Sequence, residues 1–153
     1  MNIRQYQKRD QESVWELHVL GLQQVGAYLG TGPWDDDLTH IEEIYLEDGG
    51  EFLVGFRDDR LIAMGALKKT DEKRAEIKRM RVHPEYQGQG YGQRLLQELE
   101  RRAKTLRYRV LHLDTSTVQV AAQYLYRKQG FRETGETKMM GDFTDIFFEK
   151  CLF

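Results

Sequence analysis

Cysteine occurs once in these 153 residues, as Cys151, and proline twice, as Pro33 and Pro84. A single thiol excludes an internal disulfide framework and suits a reducing compartment, here expected to be the cytoplasm. It also argues against a thiolate metal site or an acyl-cysteine intermediate, so no metal is expected. No apolar run approaches the roughly 20 residues needed to span a bilayer, and the first residues lack the apolar stretch of a signal peptide. No membrane partner is therefore expected. An excess of either charge is missing too: 23 Lys and Arg face 25 Asp and Glu, a formal net charge of −2. Without a basic field, nucleic acid is a poor candidate partner, and no DNA-reading segment is recognisable.

What is present fits one folded domain over residues 1–153, with 40% hydrophobic and 31% charged residues. A short strand is expected at 2–6. Val14, Leu17, Leu20 and Val25 recur at helical spacing and predict a helix over 10–28, with Asp10 as its N-cap and Ser13 in competition. A second, acidic helix is expected over 37–46, closed by Gly49-Gly50. Strands at 51–57 and 61–69 are joined by a tight turn at Asp58-Asp59-Arg60. A third strand spans 74–82. Its apolar residues Ile77, Met80 and Val82 share a face only if one extra residue, a β-bulge, lies between Ile77 and Met80; otherwise the strand is polar on both faces near its start. Leu95, Leu96, Leu99, Ala103 and Leu106 stripe a helix over 91–106. A strand at 109–115, a helix over 118–129 ended by Gly130, and strands at 132–140 and 143–152 complete an α/β chain with a mixed sheet.

The chemical signal is Gln87-Gly88-Gln89-Gly90-Tyr91-Gly92-Gln93, set between a strand and a helix. Glycines allow positive φ and close approach of a ligand, while the helix start offers free N–H groups and partial positive charge. Together they suit a phosphate or pyrophosphate. The bland alternative is a turn that serves chain geometry alone. The dinucleotide fingerprint G-x-G-x-x-G fails, with Gln93 or Leu95 at its third glycine position, and no Gly-Lys-Ser/Thr exists for a Walker loop.

These residues resemble the GNAT superfamily of N-acetyltransferases. Gln87, Gly90 and Gly92 match its Gln/Arg-x-x-Gly-x-Gly/Ala signature, Ile77 to Tyr86 is similar to its central strand and exit loop, and Ala122 to Phe131 looks like its A-x-x-L-Y-x-x-x-G-F segment. The resemblance implies a mixed, mostly antiparallel central sheet flanked by helices, with the strands ending at Val82 and Thr115 splayed apart. It implies acetyl-CoA as donor and an amine as acceptor, joined by direct attack. The backbone amides of Gln87, Gly88, Gln89, Gly90, Tyr91, Gly92 and Gln93 would hold the pyrophosphate, and main-chain groups of Met80, Arg81 and Val82 the pantetheine arm. Gln119 stands where the family often has asparagine, so its contact with that arm carries over weakly.

The family's general-acid position is Tyr126, which shares a helical face with Gln119 and Ala122. Glu76 lines up with a general base used in the histone-acetylating branch; an ordinary strand carboxylate paired with Lys78 or Arg74 is the competing role, and a water relay another. A backbone N–H near Met80 would polarise the thioester carbonyl. His83 and His112 are read as locally bonded or sheet residues. The segment 28–37, with Trp34-Asp35-Asp36-Asp37, either lines the acceptor cleft or caps a helix over a buried tryptophan. A catalytically silent acyl-CoA-binding module or sensor is the alternative function. The family often dimerises, so a homodimer is an open expectation.

Overall fold

The alternating and helical apolar patterns assemble in a computed structural model that describes every residue except Ala27, Leu29 and Thr31, and Met140 without its side chain. Its strands are β1 (Asn2–Gln5), β2 (Glu51–Arg57), β3 (Arg60–Lys69), β4 (Arg74–Val82), β5 (Val110–Ser116), β6 (Arg132–Met140) and β7 (Phe143–Cys151). Its α-helices are α1 (Gln11–Gln24), α2 (Tyr91–Thr105) and α3 (Val120–Lys128). Among the described residues the strands form one seven-stranded sheet in the order β1-β2-β3-β4-β5-β7-β6. Every pairing is antiparallel except β4 with β5. Among the described residues no helix is long and apolar enough to cross a membrane.

Two apolar cores cover the two faces. On one, Leu95, Leu96, Leu99 and Ala103 of α2 pack with Ala75, Ile77, Leu111 and Leu113 of the sheet and with Tyr126 and Phe131. On the other, Val14 and Leu17 of α1 join Leu38, Ile41 and Tyr45 against Phe52, Val54 and Met64. Residues 2 apart on a strand share a face, so Ala75 and Ile77 look toward α2 while Glu76 and Lys78 look away.

The expected bulge is present. Met64 pairs with Arg81 and Ala66 with Lys78, so the single residue Gly65 faces both Arg79 and Met80. Arg79 is the inserted residue and has φ of 59°. The step returns Met80 and Val82 to the α2 face with Ile77. Gly65 makes the space, since a Cβ there would sit 2.6 Å from Met80 Sδ and 2.9 Å from Leu99 Cδ1.

Three local expectations change. The acidic helix over 37–46 is instead a 3-10 segment, Pro33–Thr39, followed by a π-turn, Glu42–Leu46. Burial of Leu38, Ile41 and Tyr45, and the engagement of the Asp37 carboxylate described below, fix this segment by tertiary contact and override its helical pattern. The Asp10 side chain does not cap α1. A 3-10 turn precedes it, and the carboxylate accepts from Gln7 N–H at 2.8 Å and from Arg4 at 2.7 and 2.9 Å. The first helix stops at Gln24, and the part of the expected helix that includes Ala27 lies outside the described residues. Asp58 and Asp59, both at positive φ, make the two-residue turn between β2 and β3, and Gly130 closes α3 at φ 91°.

Packing at glycines gives a stability test. A Cβ at Gly50 would lie 2.2 Å from the Leu67 carbonyl oxygen, a backbone atom of the β3 ladder, whereas at Gly92 its nearest neighbour is 3.5 Å away. Gly50→Ala is expected to cost about 1–3 kcal/mol or more, the penalty of overpacking, and Gly92→Ala no stability, since alanine is the better helix residue where a Cβ fits. Urea unfolding midpoints check the contrast, and equal midpoints would refute it.

Candidate functional site

The parallel pairing of β4 and β5 is brief. It runs from Arg74 opposite Val110 to Glu76 opposite His112 and then stops. Beyond that point the strands part, as expected, and leave an opening of about 380 Å³. Its walls include Glu76, Met80, Arg81, Thr115, Gln119 and Tyr126. Parallel strands that separate leave main-chain N–H and C=O groups without ladder partners, free for a ligand lying between them.

The far side of β4 is clamped at the bulge. Arg79 donates through Nε to Asp37 at 2.9 Å and through one terminal nitrogen to Asp37 at 2.5 Å and the Trp34 carbonyl at 2.9 Å. Its other terminal nitrogen lies 3.5 Å from Asp35. Asp37 also accepts from the Tyr45 hydroxyl at 2.5 Å. Burial works to raise the Asp37 carboxyl, but the Arg79 and Tyr45 hydrogen bonds outweigh it and hold the group below the usual carboxylate range. Asp35 is buried and 2.9 Å from His18 Nε2. Asp35 and Asp37 are thus committed to internal pairing while Asp36 is exposed, and Trp34 is 56% exposed rather than buried. Of the candidate acceptor segment 28–37, Leu29 and Thr31 lie outside the described residues.

At the other end of β4 the chain passes through a short 3-10 turn, Pro84–Tyr86, into the glycine loop. Gln87 fastens this loop. Its amide donates to the Val82 carbonyl at 2.9 Å and exchanges hydrogen bonds with Gln24 of α1 at 2.9 and 3.0 Å. Gly88 and Gly90 have φ of 75° and 86°, and a Cβ on either would meet no atom within 4 Å. Backbone conformation alone demands glycine there, and the space beside the loop is open. Gly90 caps α2, and the first N–H in a helical bond to it is that of Arg94, 3.1 Å from its carbonyl. The amides of Tyr91, Gly92 and Gln93 in the first turn are therefore available to an anion. The Tyr91 hydroxyl accepts from Arg57.

Tyr126 lines the opening from α3, and Gln119 lines it from the non-helical N-cap position before α3 rather than from the shared helical face expected. Tyr126 is buried, packed edge-on against Phe131 with centroids 5.8 Å apart. Burial pushes its phenol up to about 12, with Arg81 opposing and Asp114 adding to the rise. Gln119 accepts from Thr115 at 3.3 Å. Burial also raises the Glu76 carboxyl, against the pull of Lys78 and with a push from Asp114. His83 accepts from Glu85 N–H at 3.1 Å and is 3.0 Å from Arg60, and His112 pairs with Thr70 at 2.6 Å, so both are locally bonded.

Sequence reading missed two carboxylates. Asp114 stands opposite Phe147, and Ser116 opposite Asp145, so Asp114 and Asp145 are diagonal neighbours on one face. Both line the opening with Glu76. Burial first, and then the carboxylate of Asp114, push the Asp145 carboxyl up to about 6. Alternation along β5 against buried Leu111, Leu113 and Thr115 would have marked the face of Asp114. Nothing local marks Asp145, because its place depends on the register between β5 and β7. Among the described residues no three His, Cys, Asp or Glu are grouped to hold a metal ion.

The family model described as acetyltransferase (GNAT) family matches residues 12–131. The chain is 37% identical over 103 residues to IAA acetyltransferase from Azospirillum brasilense, covering 66% of this chain and 67% of that protein. It is 30% identical over 124 residues to N-acetyltransferase 8 from Homo sapiens, covering 72% of this chain. It spans only 55% of that human relative. The protein yncA from Salmonella typhimurium, solved with its cofactor acetyl-CoA, superposes with a TM-score of 0.84 at 21% identity, over 100% of this chain and 94% of that one. The last likeness bears on the fold.

The loop geometry predicts a separable effect of strain and charge. Gly90→Ala adds only the left-handed penalty, and Asp tolerates that region better than Ala. Gly90→Asp is nevertheless expected to bind acetyl-CoA at least about tenfold more weakly than Gly90→Ala in calorimetry, a difference of about 1.4 kcal/mol. Equal affinities would refute an anion at this loop.

Proposed function

The chain belongs to the acetyltransferase (GNAT) family, and on that premise we propose that residues 1–153 form one domain that moves an acetyl group from acetyl-CoA directly onto an amine. The observation that carries the reading is the opening where β4 and β5 part, lined by a buried phenol and three carboxylates, on the strand that runs on into the glycine loop. The loop amides from Gln87 to Gln93 would take the pyrophosphate. Freed main-chain groups at Met80, Arg81 and Val82 would take the pantetheine arm, with the Gln119 amide beside it.

In the reaction the amine nitrogen bonds to the thioester carbon, the C–S bond breaks, CoA leaves as a thiolate, and the amine gives up a proton. An alkylamine has an ordinary pKa of about 10.4 and arrives protonated, so a base must first take that proton. Glu76 and Asp145 both have raised carboxyls and both line the opening. We assign the base to this carboxylate group, with Glu76 as the strand residue and Asp145 as its neighbour through Asp114. A backbone N–H at the bulge, near Met80, would polarise the carbonyl.

Tyr126 serves the leaving group. With its phenol at about 12 it stays protonated across the working range. A thiol lies near 8.5, so full proton transfer to the thiolate would be uphill by several pKa units, at about 1.4 kcal/mol each. The phenol therefore stabilises the thiolate by donating a hydrogen bond. We further propose a homodimer in a reducing, cytoplasmic setting: family members often dimerise, and the sole cysteine is free and exposed. Light scattering that gives a monomer would refute the dimer.

Two measurements test the assignments. Tyr126→Phe is expected to lower kcat about 10- to 100-fold, the worth of a hydrogen bond to a charged group, with acetyl-CoA affinity little changed. Full turnover at saturating substrate would remove the hydroxyl from the mechanism, and no turnover by the wild type on any amine would favour a silent acyl-CoA-binding module. The pH profile should rise through an apparent pKa near 6, because a carboxyl titrating at about 6 cannot accept a proton below that value. Asp145→Asn should shift or remove this limb. A limb that is unmoved in both Asp145→Asn and Glu76→Gln would place the base elsewhere.

A further inference from the structure

Three basic side chains line the opening, Lys78, Arg79 and Arg81. Arg79 is spent on Asp37 and Asp35. Lys78 stands near Glu76 and Asp37 and draws both carboxyls down. Arg81 is different. Among the described residues its guanidinium makes no ion pair, its Nε is buried without a hydrogen-bond partner, and one terminal nitrogen reaches only the Met80 carbonyl at 3.4 Å. Burial, and then the like charge of Arg79, pull its pKa below the ordinary value.

The placement is built into the fold. Arg81 leaves β4 on the face toward α1, where its aliphatic stem lies over Gly21; a Cβ at that glycine would come within 2.8 Å of Arg81 Cδ. A glycine in mid-helix costs about 1 kcal/mol relative to alanine, and here it lets a charged side chain enter. A desolvated guanidinium without an anion is expensive, and its planar fork is matched to a carboxylate. Glu76, Asp114 and Asp145 line the same opening and supply the opposite charge.

We infer that the acceptor carries both charges: it is a free amino acid or close derivative, its carboxylate held by Arg81 and its ammonium drawn to Glu76, Asp114 and Asp145. This rests on the acetyltransferase reading and narrows its acceptor class. The ammonium loses its proton to the carboxylate group and attacks the thioester, while the carboxylate stays on Arg81 and fixes the direction of the amine. The same guanidinium could instead face the thioester oxygen of the donor, and then it would serve every amine alike.

The test is a matched panel: histidine with histamine, phenylalanine with phenethylamine, tryptophan with tryptamine, ornithine with putrescine, each with acetyl-CoA and followed by thiol release and product mass. For at least one pair the wild-type kcat/KM is expected to favour the carboxylate-bearing member by about 10- to 100-fold. Arg81→Met should collapse that ratio to near unity, and Arg81→Lys should keep part of it. Preference for the decarboxylated amines, or acetylation of none of the amino acids, would overturn the inference while leaving acetyl transfer standing. An equal fall for both members of a pair in Arg81→Met would assign Arg81 to the thioester and overturn it as well. Failure of the wild type to bind acetyl-CoA in calorimetry would bring down the acetyltransferase reading and this inference with it.

Discussion

The left-handed backbone at Arg79 is the constraint on which the site depends. A non-glycine residue with φ of 59° costs about 1–2 kcal/mol, and it persists because its side chain is fixed by Asp37, Asp35 and the Trp34 carbonyl. The bulge takes β4 out of step with β3 and adds local twist. On the other side β4 has already stopped pairing with β5 at Glu76. Two neighbouring departures from regular pairing therefore fall within five residues of one strand, and the opening lies where they meet. Gly65 is their counterpart on β3, since the close approach of Met80 and Leu99 leaves no room for a Cβ.

This arrangement explains why the acidic segment before β2 contributes to the site without lining it. Asp35 and Asp37 look from the sequence like an attraction for a cationic substrate. In the fold Asp37 is paired with Arg79, Asp35 lies between Arg79 and His18, and their carboxylates are out of the opening's lining. Their function is mechanical, holding the bulge. The negative charge that does reach the opening comes from Glu76, Asp114 and Asp145, on three different strands. Burying one of a pair by itself would leave an uncompensated charge, so an acceptor that brings opposite charges to both Arg81 and this group relieves two costs at once.

The elements with a strong period were legible in the sequence. The α2 stripe, the tight turn at Asp58-Asp59, Gly130 as helix terminator and the bulge between Ile77 and Met80 each follow from local spacing or local backbone demand. The segment 37–46 was not, because its 3-10 and π-turns are imposed by Tyr45, Leu38 and Ile41 sinking into the core beneath α1. The placement of Glu76 and Tyr126 at the opening and of the loop glycines between β4 and α2 was legible, since they lie within or next to continuous motifs. Asp145 was not, because only the register of β5 with β7 brings it beside Asp114. Arg81 was read only for its main chain. That its side chain makes no ion pair among the described residues is a property of the packed structure.

The titration behaviour of the opening divides the proton work by surroundings rather than by residue type. Burial raises both a phenol and the carboxyls, because it disfavours each charged form. For Tyr126 the result is a group at about 12 that never ionises in use. For Asp145, with Asp114 beside it, the result is a carboxyl at about 6, close enough to neutrality to change state. Under the proposed mechanism the same desolvation would make one group a fixed donor and the other an exchangeable acceptor, the two functions thioester aminolysis requires at its two ends. The two groups are kept apart because the phenol is set into the α2-side core, while the carboxylates alternate with that core's residues and stand on the other face of the sheet.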